Sequence, residues 1–351
     1  PIYISEVAMA DRRGALVSLY QLAITIGFLF AYFINWWILS VAETAALDPA
    51  LRFVSDFMNR TMVDEYWRGM LGSETIPALL FFFIIFLIPE SPRWLIVHGE
   101  GAKASSVLQK IYLSPDEASR QKSITEDSIK GEVKTEWKAL LSPGILKAVL
   151  IGSAIAILGQ FMGVNAVLYY GPEIFKEAGL SSGDALFSQV LVGFVNMGTT
   201  VIALLIIDKV GRKNLVYWGV SGMILSLLMI GFYFIFPEQL GSIFMLVFFL
   251  FYVFCCAISI CAVVFVLLSE MYPNNVRGIA MSIAGLALWI GTYLIGQLTP
   301  WLLANVPPFA PAGTFFLFAL MCVPYLFIMW KLVPETTGKT LEEIERYWKE
   351  R

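Results

Sequence analysis

Gln160-Phe161-Met162-Gly163-Val164-Asn165-Ala166-Val167-Leu168-Tyr169-Tyr170 sets two amides and two phenols at the end of an otherwise apolar run. An amide both donates to and accepts from hydroxyls, so the set suits a neutral, hydroxyl-rich solute. Asn165 and Tyr169 are four apart and share one helix face. Gly163 can loosen the helix and turn Gln160 toward that face. The run begins near Ile145 and carries no charge between Lys147 and Glu173, long enough to cross a bilayer. Polar side chains in lipid cost free energy unless they find a partner or face water. The arrangement predicts a helix lining a polar cavity near the membrane midplane. A plainer alternative stays open: amides that only bond a neighbouring helix, and tyrosines that sit in the interfacial belt.

The rest of the chain must position this stretch. It is 58% hydrophobic and 15% charged, against about 25% charged in soluble domains, which excludes a soluble protein. Eight spans are expected, at roughly 15–38, 71–88, 145–171, 186–207, 215–236, 242–268, 279–302 and 313–333. Loops 1–14, 89–144, 208–214, 269–278 and the C-terminus, with Lys147 and Lys331 at their edge, hold 20 of the 24 Lys and Arg. The positive-inside rule puts that side, and both chain ends, in the cytoplasm. Segment 90–144 is polar and partly helical, with Ser114-Pro115-Asp116-Glu117 reading as a capping box and Lys130 to Lys134 as a solvated face. Segment 40–68 is polar, without a legible motif.

An internal repeat organises the chain. Ser5, Glu6, Arg13, Gly14, Ser18, Leu22, Ala23, Ile26 and Gly27 recur 264 residues later, from Ser269 and Glu270 through Arg277 to Gly291. Each copy later ends in Pro-Glu plus a hydroxyl residue, Pro89-Glu90-Ser91 and Pro334-Glu335-Thr336. This is a parallel repeat of the kind found in transporters. Four spans precede the second copy and none precedes the first, so twelve spans in two six-span halves are expected, the first four lying outside this chain. On this reading 1–89 is the end of the N-terminal half, 90–144 a cytoplasmic linker, 145–333 the C-terminal half and 334–351 a cytoplasmic tail. Glu6 with Arg13, and Glu270 with Arg277, can pair across their turns. Asp208 and Arg212 form a similar tight turn. These charges are expected to act as a cytoplasmic gate, with plain positive-inside anchoring as the alternative.

The four cysteines, Cys255, Cys256, Cys261 and Cys322, all fall in spans and read as buried small hydrophobes. The one histidine, His98, lies in a polar loop and reads as a surface residue. No span holds a histidine, a nucleophile–base pair or a metal cluster, so an enzyme is not expected. The net charge of −3 gives no sign of nucleic-acid binding, and no obligate protein partner is expected.

Pro89-Glu90-Ser91-Pro92-Arg93-Trp94-Leu95, Pro334-Glu335-Thr336-Thr337-Gly338-Lys339, Asp208 to Lys213 and Gln160…Asn165…Tyr169-Tyr170 resemble the sugar porter family of the major facilitator superfamily. The resemblance covers essentially the whole chain. It implies an all-α membrane protein of the major facilitator fold, with eight transmembrane helices visible of the inferred twelve and a cytoplasmic helical segment between the halves. It implies a sugar site at Gln21, Gln160, Asn165, Tyr169, Asn196 and Trp289, with Glu90, Arg93 and Glu335 joining the gate. It also makes Glu74, the one acidic residue deep in a span, a proton-coupling candidate; a structural ion pair is the alternative.

The chain departs from the family pattern at Gly159, Phe28 and Leu288, each replacing a polar residue, and in the tenth span, where Cys261-Ala262-Val263-Val264-Phe265 replaces Gly-Pro-x-x-Trp. The lost glycine and proline remove an expected flex point. The implied function is proton symport of a monosaccharide (pentose or hexose) or polyol across the cytoplasmic membrane. No cofactor is expected, with the proton gradient as energy source. Uniport and a non-transporting sugar sensor are the alternatives.

Overall fold

Among the described residues, eight helices, alone or in broken pairs, are long and apolar enough to cross a membrane. The computed structural model describes residues 2–8, 13–112, 114–130, 140–273, 276–306, 310–336, 343–344 and 347–348. Two units emerge: Pro1–Gly27 with Trp37–Lys134, and Phe28–Trp36 with Thr135–Arg351.

In the first unit, α1 (Ile2–Val7) leads to α2 (Arg13–Leu47), whose residues 28–36 belong to the second unit. The expected end at 38 falls short by nine residues. Ala42, Ala45, Ala46 and Leu47 are strong helix formers and keep the helix intact up to Asp48-Pro49, where the residue before proline disfavours α geometry. Segment 40–68, polar and without a legible motif, starts with the end of α2. It contains α3 (Asp56–Asn59) and a π turn, Arg60–Asp64. Arg52 pairs with Asp64 at 3.0 Å, and Glu65 with Arg60 at 3.2 Å and with Arg68. Arg68 first and Arg60 second hold the Glu65 carboxyl below its usual range.

The expected span at 71–88 starts earlier and is broken, into α4 (Tyr66–Ser73) and α5 (Thr75–Ile85), with Glu74 at the joint. Then come α6 (Pro92–Val97), α7 (Gly101–Ile111) and α8 (Pro115–Lys130). Ser91 caps α6, its hydroxyl accepting from the Trp94 amide at 3.2 Å, and α8 starts at the expected proline. The His98 ring stacks on Trp94, centroids 3.9 Å apart. The side chain of Lys130 and residues 131–134 lie outside the described residues.

The second unit contains α9 (Pro143–Phe161), α10 (Val164–Glu177), α11 (Ser182–Val210), α12 (Arg212–Ile235), α13 (Ser242–Cys256), a π turn (Ala257–Cys261), α14 (Ala262–Met271), α15 (Arg277–Asn305) and α16 (Ala310–Lys331). Helix α9 packs on α15 and α16, α12 on α13 and α16, and α10 on α11. Their facing sides carry the core, including Ile155, Val220, Phe249, Leu267, Phe315 and Tyr325. The tenth span carries an irregularity of its own, the π turn, although it lacks the glycine and proline of the family pattern. Its π turn ends at Cys261, the Ser259 hydroxyl bonding the Cys255 carbonyl at 2.5 Å. Hydroxyls that bond back along a helix bend it.

Candidate solute site

Helix α9 ends at Phe161, with Met162 as its C-cap, and α10 begins after Gly163, whose φ of +90° is left-handed. Side chains pay strain there, and glycine does not. A Cβ at this position would also meet the Phe318 ring at 2.5 Å. The break reverses the divergence that five residues of regular helix would impose. Asn165 Nδ2 therefore reaches Gln160 Oε1 at 2.7 Å. Thr292 of α15 donates to the same oxygen at 3.1 Å, sharing its proton with the Leu288 carbonyl at 3.0 Å. Helix α15 comes this close because Gly291 has no side chain: a Cβ there would lie 3.2 Å from Gln160 Cβ.

The chemistry follows from the lone pairs. Gln160 Oε1 accepts twice, which leaves its NH₂ as donor, while Asn165 keeps its carbonyl oxygen as acceptor. One donor and one acceptor side by side match the two faces of a hydroxyl group. All three residues lie in helices of membrane-spanning character, where polar groups are dear unless partnered or wetted.

Two prolines shape the surroundings. Pro172 lacks an N–H, which frees the Leu168 carbonyl four residues back. That oxygen accepts from the Tyr32 hydroxyl at 2.8 Å and from Gln189 Nε2 at 3.0 Å. Pro300 likewise frees Gly296, whose carbonyl accepts from the Tyr170 hydroxyl at 2.7 Å. Tyr170 thus fastens α10 to α15. The carbonyl of Met162, at the helix break, accepts from buried Tyr252 at 2.8 Å.

The structure brings together Gln160 and Asn165 and adds Thr292, which sequence reasoning missed. Asn196 is 6% exposed within α11, and its backbone carbonyl accepts from Thr200 at 2.8 Å. Tyr169 and Trp289 are 49% and 67% exposed. These three share no hydrogen bond with the cluster among the described residues. Gln21, half-buried on α2, and Glu74, exposed, belong to the other unit. Of the departures, Gly159 and Leu288 are buried, Cys261 and Phe28 partly so, and Phe265 is exposed. Phe28 stacks on Tyr32.

At the charged end of the unit the expected pairing of Glu270 with Arg277 does not form. Glu270 Oε1 instead bonds Arg212 at 3.0 Å and Oε2 accepts from Thr336 at 2.6 Å. Tyr272 is extended where α14 stops, and the Arg277 guanidinium turns to its carbonyl at 3.4 Å. Glu335 accepts from the Lys213 amide at 3.3 Å, and Lys213 Nζ reaches the Val333 carbonyl at 2.8 Å. Side chains of Glu6, Arg13 and Asp208 lie outside the described residues. Arg93 is half-buried on α6 and Glu90 exposed. Neighbouring Pro89 accepts from the Tyr3 hydroxyl at 2.8 Å. Burial first and the Glu90 charge second hold that phenol above its usual range.

A family model described as sugar (and other) transporter matches residues 1–348. The D-xylose-proton symporter of Escherichia coli (strain K12) is 37% identical over 354 residues, covering 99% of this chain and 67% of that protein. The arabinose-proton symporter of Bacillus subtilis (strain 168) is 36% identical over 346 residues, covering 99% and 70%. Among solved structures, the inward open conformation of the xylose transporter XylE from E. coli matches with TM-score 0.80 and 35% identity, covering 99% of this chain and 68% of that one.

Proposed function

The chain belongs to the sugar (and other) transporter family, and from that premise we propose that it serves to move a monosaccharide or polyol across the cytoplasmic membrane with a proton. The observation that carries the reading is the cluster of Gln160, Asn165 and Thr292 inside membrane-capable helices. Relatives named as xylose- and arabinose-proton symporters support both the solute class and the coupling. Tyr169, Asn196, Trp289 and Gln21 are assigned to solute contact on the family resemblance, and Glu74 to the proton. Arg212, Glu270, Thr336 and Glu335 serve as a charge lock on the cytoplasmic side, a placement supported by the Lys and Arg distribution.

The test is uptake of a labelled panel of pentoses, hexoses and polyols into proteoliposomes under an imposed inward proton gradient. One member of the panel should accumulate above equilibrium, and Gln160→Ala should abolish this while leaving folded protein. Equilibration without accumulation selects uniport. Neither accumulation nor exchange of any member overturns transport and leaves the sensor reading.

A further inference from the structure

Cys256 ends α13 and Cys261 closes the π turn that follows, and their sulfurs lie 3.5 Å apart. On a regular α-helix five residues turn by about 500°, so such side chains diverge by about 140°. The π turn, which closes on i and i+5, brings both thiols to one side. Cys256 is buried and Cys261 partly open. The other two cysteines have contacts of their own: a Cβ on Gly222 of α12 would meet Cys255 Sγ at 2.4 Å, and Cys322 Sγ bonds the Phe318 carbonyl at 3.4 Å.

The 3.5 Å separation limits what could bridge the pair. An atom bound to both sulfurs at about 2.3 Å, an ordinary metal–thiolate length, subtends about 100° across that gap. A linear two-thiolate ion needs a gap of roughly 4.6 Å at the same bond length. A tetrahedral ion needs four donors, and among the described residues no group of three or more His, Cys, Asp or Glu could hold a metal. A trivalent arsenical with one organic substituent needs two thiols and a bent geometry.

We propose that Cys256 and Cys261 form a dithiol site for a trivalent organoarsenical, clamped across the π turn between α13 and α14. With phenylarsine oxide, two As–S bonds form and the As–O bond breaks. The two thiol protons leave with that oxygen as one water, and no oxidation state changes. The reagent is apolar, and residues 242–269 around the pair carry no charge, so it reaches the pair by partitioning into the span. The proposal does not depend on what the protein transports.

The experiment is intact-mass measurement of the purified chain after exposure to phenylarsine oxide and then excess monothiol. One equivalent should remain, and a 1,2-dithiol should release it. Two-point attachment raises retention about 10²-fold over one point, so Cys256→Ser and Cys261→Ser should each lose about that factor. Cys255→Ser and Cys322→Ser should retain the equivalent. Cys261→Ala serves as a second, apolar variant should serine disturb folding. Retention by the pair variants, loss through Cys255→Ser or Cys322→Ser, or no retained arsenical on the unaltered chain overturns the proposal.

Discussion

With both lone pairs of Gln160 Oε1 held by Asn165 and Thr292, the amide can turn only by breaking two hydrogen bonds. Its donor face is thereby fixed for a solute. Thr292→Val keeps the shape and removes one of the two bonds. A net hydrogen bond is worth about 1 kcal/mol, so apparent sugar affinity should fall about fivefold while maximal rate changes little, as read from concentration-dependent uptake. Glu74→Gln removes a titratable group at the joint between α4 and α5. Under the symport reading it should abolish pH-driven accumulation and spare counterflow; accumulation that persists makes Glu74 structural. Leu288 and Gly159 offer carbon where the family pattern has amides. Each unmet solute hydroxyl there costs about 1–3 kcal/mol, which should favour solutes with fewer hydroxyls in a competition assay.

Among the helices, the Leu168 carbonyl has two side-chain donors in place of the one its own helix denies it. Either donor alone keeps a buried oxygen satisfied. Tyr32→Phe and Gln189→Leu should therefore each cost about 1 kcal/mol in thermal unfolding, and the double variant more than their sum, because it orphans the oxygen. Gly163→Ala faces both a left-handed backbone and the Phe318 ring, and should cost about 2 kcal/mol or more. The eight apolar runs, the repeat and the break at Gly163 were legible because length, spacing and glycine are properties of residue type. The joint at Glu74 had signals that went unused, Gly72 before it and Pro77, which denies the Ser73 carbonyl its helix amide, after it. The π turn at Ala257–Cys261 has no glycine or proline to announce it and arises from packing and side-chain hydroxyls. Thr292 was hidden because a threonine in an apolar run reads as filler. The part played by Leu168 was hidden because its chemistry lies in its backbone, although Pro172 four residues on was a usable signal. Glu270 was paired with the wrong arginine because sequence distance favours Arg277, while the fold brings Arg212 closer.

For the molecule as a whole, the Arg212–Glu270 pair is only 11% and 26% exposed at its two side chains, so salt screens it less than a surface pair. It joins the start of α12 to the end of α14, and Thr336 ties in the segment after α16. Removing Glu270 leaves a half-buried guanidinium without that carboxylate, so Glu270→Ala should lower the unfolding midpoint more than Glu100→Ala, which removes the more exposed Lys103–Glu100 pair at the start of α7. Differential scanning of both variants in one detergent checks this. A protonophore should reduce steady-state solute to equilibrium without slowing exchange.

The prolines of α10 and α15 leave a lasting mark on how these spans can move. An oxygen that leans on a phenol can be released and recaptured by a small swing of one ring. One that belongs to its own coil moves only if the coil unwinds. Each of these two membrane spans thus has one turn whose carbonyl is held from outside its own helix, by a phenol of another helix.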